Sequence, residues 1–151
     1  MSSWTQLLLQ PTLYRAVIQG TDMNLPAVAA PSTSATGLRT AVRIMERWGA
    51  TQDEIARTLR VSRSSVSRAK GRLESISLDD DQLDRISYVL NIHAALRMMF
   101  DNPENVEGFM SMANHNAFFN GRTPLEVITG GSYVGLYETF RRIDGLRGGM
   151  W

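Results

Sequence analysis

Thr51 to Leu73, TQDEIARTLRVSRSSVSRAKGRL, is the stretch whose reading decides the fold. Its spacing predicts two short helices joined by a tight turn, the layout of a helix-turn-helix DNA reader. Thr51 and Glu54 have capping-box spacing, in which the threonine accepts from a first-turn amide and the glutamate reaches back to the cap. Ile55, Ala56 and Leu59 then share one helical face. Ala56 is small enough to let a second helix cross steeply. Val61 supplies an apolar plug in the turn, and Ser62 is a suitable N-cap for the second helix. Val66, Ala69 and Leu73 recur as that helix's buried stripe. Arg60 stands where such a turn commonly has glycine, and a left-handed backbone there costs a non-glycine residue about 1 kcal/mol.

Helical geometry turns Ser64, Ser67, Arg68 and Gly71 away from the stripe, with Arg63, Lys70 and Arg72 on the flanks. Arginine grips the O6/N7 edge of guanine through two bonds, and serine takes either donor or acceptor partners. Arginine, lysine and a helix N-terminus also hold phosphate. The candidate DNA-binding residues are therefore Arg63, Ser64, Ser67, Arg68, Lys70 and Arg72, set against the plainer reading of a solvated basic helix. The coincidence of cap, plug, small crossing residue and basic face favours DNA.

Charge is segregated along the 151 residues. Leu38–Leu73 holds nine Arg/Lys and three Asp/Glu, whereas Glu74–Glu107 holds two and eight, inside a chain of net charge +1. A local basic block favours a nucleic-acid footprint over a generally sticky protein. There is no cysteine, hence no disulfide frame, thiolate nucleophile or thiolate metal site, as expected of a cytoplasmic protein. No signal-peptide pattern opens the chain, and no apolar run approaches the roughly 20 residues of a membrane span.

The basic block sits within a longer helical plan. Trp4 to Ile18, broken by Pro11, reads as one or two short helices that dock on the domain in preference to reaching for a partner, because exposing so many large apolar groups invites aggregation. Asn24 to Gly37 reads as a linker rich in Ala, Pro, Ser and Thr. Leu38 to Trp48 is a helix with Leu38, Val42, Met45 and Trp48 on one face and Arg39, Arg43 and Arg47 on another, available to phosphate or to solvent. SLDDDQLD, from Ser77, supplies a cap and carboxylates for a helix over about Asp81 to Phe100, and lacks the spacing of a calcium loop. Leu83, Ile86, Leu90, His93 and Ala94 recur along it as a stripe, with Met99 and Phe100 near its end. His93 and His115 make no convincing metal site. Asn102-Pro103 and Thr123-Pro124 each have the grammar of a cap followed by proline at the first helical position. The first opens a helix running to about Met112, and Phe118 and Phe119 tuck in from the loop before the second. Gly130-Gly131 ends the second, and Ser132 starts a last helix striped by Tyr133, Leu136, Tyr137, Phe140 and Ile143 and closed by Gly145. The whole is all-α, about seven helices: an arm and linker over 1–37, a helix-turn-helix DNA-binding domain over 38–76 and a small helical domain with a tail over 77–151.

The second half resembles the toxin-binding domain of the Xre/MbcA/ParS antitoxin family. The likeness runs from Leu83 to Gly145. It is carried by Leu96 through Phe100-Asp101, by Ala113-Asn114 and by Asn120-Gly121-Arg122-Thr123-Pro124-Leu125-Glu126-Val127-Ile128. Gly130-Gly131, Val134 and Ile143-Asp144-Gly145 complete it. Phe109 replaces the usual tryptophan, and Asp101-Asn102 replaces a usual Gly-acid pair. The resemblance implies a cognate toxin as partner, typically a RES-domain protein that degrades NAD, with the antitoxin covering the NAD cleft and the complex binding its own operator DNA. On that implication the candidate toxin-binding residues are Arg141, Arg142, Arg147, Gly148, Gly149, Met150 and Trp151. The glycines allow threading, and Arg and Trp are usual interface anchors. A homodimer follows from the two half-sites such readers use. The rival is a stand-alone transcription regulator whose second half dimerises or senses a ligand. With no nucleophile grouping, phosphate loop or metal cluster, neither catalytic residues nor a cofactor are expected.

Overall fold

A computed structural model describes residues 32–148. The arm expected over Trp4 to Ile18 and the tail residues Gly149, Met150 and Trp151 lie outside them. Seven α-helices occupy the described residues: α1 (Thr33–Arg47), α2 (Gln52–Leu59), α3 (Arg63–Lys70), α4 (Asp80–Met99), α5 (Pro103–Gly108), α6 (Pro124–Thr129) and α7 (Tyr133–Arg147), with a 3-10 turn at Phe109–Ser111 after α5. The all-α class and the order of a helix-turn-helix domain before a second helical domain are as the sequence led one to expect.

Helix starts follow the capping residues. Thr51, Asp79 and Thr123 each close a full capping box with Glu54, Gln82 and Glu126, and Ser62, Asn102 and Ser132 cap α3, α5 and α7 through single bonds. Each box satisfies two of the amides that a helix start leaves without partners.

Three boundaries differ from expectation: α5 stops at Gly108 and only a 3-10 turn carries on to Ser111, short of the expected Met112, and the other two lie in the first and last helices. The first helix begins at Thr33, inside the expected linker of 24–37, because the Ser32 hydroxyl caps it and Ala35 and Gly37 are small enough to pack at its root. The last helix does not stop at Gly145. It runs to Arg147, where Arg147 bonds back to Asp144 at 2.9 and 3.1 Å and Gly148 takes the cap.

The largest departure concerns α4. One buried stripe was expected, yet Leu83, Ile86, Val89, Leu90, Ile92, Ala95 and Leu96 are buried together with Arg85, Ser87, Tyr88 and Asn91. A helix enclosed on all sides is the axis of the molecule, and α1 and α7 are its principal neighbours. Tyr88 meets Tyr133, Tyr137 and Phe140 of α7 at ring-centroid distances of 5.4–5.8 Å. Burial, and then the Tyr133 hydroxyl, hold the Tyr88 phenol far above its ordinary pKa. One hydrophobic cluster runs from Ala35 to Ile143, so the two helical domains share a core.

Candidate functional site

The turn of the helix-turn-helix is built as the spacing predicts, and it contains the backbone conformation suspected of it. Arg60 takes φ 56° and ψ 39°, the left-handed region. Two acidic residues at the start of α4, its N-cap and one in its first turn, hold it there: the Arg60 guanidinium donates to the carboxylates of Asp79 and Asp81. The Gln82 amide donates to the Arg60 carbonyl at 2.8 Å. The hydrogen bond from Arg60 lowers the Asp79 pKa, and that bond, with the one to Asp81, raises the pKa of Arg60. The aspartate run thus caps α4 and fastens the turn, with the second role invisible in the sequence.

α3 buries Val66 and Ala69 against α1 and α2 and turns its other side out. Ser64, Ser67 and Arg68 are exposed and make no side-chain bond to the described residues. The other three candidate DNA-binding residues are engaged. Arg63 pairs with Asp53 at 2.8 Å, Lys70 with Glu46 at 2.7 Å and Arg72, more loosely, with Glu74 at 3.8 Å. Gln52, just inside α2, donates to the Arg63 carbonyl at 3.0 Å and ties the starts of the two helices together. The sequence reading missed Gln52 and Glu46. Only their placement beside α3 gives them a role.

α2 faces the other way and is bolted to the second domain. Thr58, fully buried, donates to Glu54 and Ile128 carbonyls at 2.8 and 3.2 Å, and Arg57 donates to the Thr129 carbonyl at 2.6 Å. Arg85 of α4, also buried, donates to the Thr58 and Gly131 carbonyls at 3.1 and 3.0 Å and to Asp81 at 2.9 Å. Gly131 has φ +85°, and a β-carbon there would lie 2.6 Å from Arg57 Cγ. The diglycine is therefore both a helix stop and a seat for α2.

The run Asn120-Gly121-Arg122-Thr123-Pro124 acquires local reasons as well. Asn120 and Gly121 turn through positive φ. Arg122 closes the loop by donating to the Phe119 and Phe118 carbonyls at 3.0 Å each. Thr123 then caps α6.

The candidate toxin-binding residues divide. Arg141 and Arg142 are exposed on α7. Together with Asn116, Ala117, Phe118, Glu138 and Gly145 they line an open cleft of about 340 Å³. Arg142 lies over the Phe118 ring at 4.5 Å and pairs with Glu138 at 3.5 Å. Arg147 is six residues on, which at about 100° per residue turns it roughly 120° around the helix from Arg141, and Asp144 holds it. Gly148 is exposed at the helix end.

At the junction of α1, α4 and α5, His93 shares a polar cleft with Arg47, Arg97 and Glu107. Its Nδ1 is buried without a hydrogen-bond partner among the described residues. Burial, with the charges of Arg97 and Arg47 behind it, pushes its pKa down to about 4. Among the described residues no group of three or more His, Asp or Glu side chains is placed to hold a metal ion, and no helix is long and apolar enough to cross a membrane.

Comparison with known proteins assigns a family to each half. Residues 27–91 match the antitoxin Xre-like helix-turn-helix domain, and residues 95–149 match the antitoxin Xre/MbcA/ParS C-terminal toxin-binding domain. The uncharacterized protein y4oB of Sinorhizobium fredii (strain NBRC 101917 / NGR234) is 29% identical over 110 residues, which cover 71% of this chain and 81% of that one.

Proposed function

The chain belongs to the Xre-type antitoxins, and from that premise we propose that it neutralises a cognate, NAD-consuming RES-type toxin by covering its active site and represses its own operon through α3. The observation that carries the reading is one of contrast within a single core. A capped helix presents Ser64, Ser67 and Arg68 outward with no bond to the described residues, whereas Arg142 and Arg147 on α7 in the other half pair with Glu138 and Asp144. Hydroxyl and guanidinium groups on an exposed helix face are suited to base edges in the major groove. A homodimer sets two such helices against the half-sites of an inverted repeat. The protein works by binding, in the cytoplasm, with neither catalysis nor a cofactor of its own.

Arg141 and Arg142 supply cations beside the Phe118 cleft, Arg147 adds one at the end of α7, and residues 148–151 act as the plug for the toxin's NAD cleft. Co-expression with the adjoining gene, followed by pull-down and an assay of cellular NAD, tests the whole. The toxin should co-purify and NAD should be spared. A chain that purifies alone, with no toxic neighbour restrained, returns the reading to a stand-alone regulator. Deleting residues 148–151 should weaken neutralisation and leave DNA binding intact; unchanged neutralisation removes the plug.

A further inference from the structure

We propose that Arg39 and Arg43, on the outer face of α1, form a second contact for the DNA phosphate backbone beside the groove-reading face of α3. The inference rests on the DNA-binding reading above and adds a surface to it. It begins from which cations are already committed. Of the nine in the basic block from Leu38 to Leu73, Arg47 pairs with Glu107, Arg60 with Asp79 and Asp81, Arg63 with Asp53, Lys70 with Glu46 and Arg72 with Glu74. Arg57 is bonded to the Thr129 carbonyl. Arg39, Arg43 and Arg68 are left without hydrogen bond or ion pair among the described residues. Arg68 is on α3, and the other two are on α1.

Geometry joins them to one surface. Lys70, the last residue of α3, meets Glu46 of α1 at 2.7 Å, so the outer faces of the two helices are continuous there. Glu46 follows Arg43 by three residues and Arg39 by seven, spacings that keep all three on one flank of α1. Ser67, three residues before Lys70, is on the matching flank of α3. Arg43 is exposed. Arg39 is half-buried, and its Nε is shut off without an acceptor. An orphaned donor is costly, and swinging the guanidinium onto a phosphate oxygen relieves it with a charge-assisted bond. On this surface the Glu46 carboxylate holds Lys70 back from the backbone.

The test uses the full chain and two duplexes of equal length, one carrying the inverted repeat upstream of its own reading frame and one of scrambled sequence, in salt titrations by fluorescence anisotropy. For Arg39→Ala with Arg43→Ala, affinity should fall roughly 30-fold at about 0.15 M salt for both duplexes, and the slope of log K against log salt should shrink by about 1.8, two contacts' worth. Arg39→Lys with Arg43→Lys should keep the slope, and circular dichroism should show unchanged helix content. Glu46→Gln should tighten both duplexes about fivefold by releasing Lys70. An unchanged slope in the double alanine variant overturns the proposal, as does a loss confined to the inverted repeat, which would make these arginines base readers. If the unaltered chain binds neither duplex, the DNA-binding reading itself falls.

Discussion

The two helices of the reader, α2 and α3, carry the same kinds of outward side chain and use them in opposite ways. On α2, Arg57 and Thr58 are spent on the carbonyls at the end of α6. On α3, Ser64, Ser67 and Arg68 have no bond to the described residues. The difference comes from what each helix lies against. Gly131 and Arg85 shape a seat for α2, whereas no described element covers α3. Arginine and hydroxyl groups are therefore not diagnostic of DNA contact on their own. Their meaning depends on whether the protein itself has already supplied their acceptors.

That contrast is open to attack at several points. Arg85→Met should do the most harm, about 3 kcal/mol of stability in urea unfolding, because buried carbonyls of Thr58 and Gly131 lose their donor. A loss below 1 kcal/mol would mean that α2 is not held by this junction. Gly131→Ala should cost about 2 kcal/mol, through its positive φ and the approach of Arg57 Cγ. Adding Arg57→Ala should return part of that cost, and strict additivity of the two changes would break the proposed contact.

His93 probes the far end of α4. Its folded-state pKa of about 4 lies below the ordinary 6.5, so over that interval the unfolded chain takes up more protons. Stability should be complete above pH 6.5 and fall as pH drops towards 4, by about 1–2 kcal/mol once solvent access to the ring is allowed for. His93→Gln should flatten this part of the profile measured by thermal unfolding. The smallest effect belongs to the open face. Arg68→Ala should change stability by less than about 0.5 kcal/mol, while costing about 1–3 kcal/mol at one base position of the inverted repeat if it reads guanine. A large loss of stability would show that α3, like α2, is spoken for.

Much of the fold was legible because caps, prolines and glycines act locally. Thr51, Ser62, Asn102, Thr123 and Ser132 each begin a helix where the pattern put one. Local signals failed where a residue's role depended on distant neighbours. Ser32 to Gly37 look like linker until Ala35 and Gly37 are packed, and Gly145 looks like a stop although nothing around it requires one. The candidate site was legible to the same degree. The exposed side of α3 followed from its period, but the ties of Arg63 to Asp53 and Lys70 to Glu46 join residues 10 and 24 positions apart and left no periodic trace.

From residue order alone came the helical class, the positions of most helix starts, the basic block and the direction in which Ser64, Ser67 and Arg68 point, since all of these follow from interactions within about four residues. Tertiary structure alone decided that α4 is the enclosed axis, that both halves share one core, and that Arg57, Thr58 and Arg85 belong to the joint between them. Burial and hydrogen-bond partnership are properties of what surrounds a side chain, and those surroundings exist only once the chain has closed on itself.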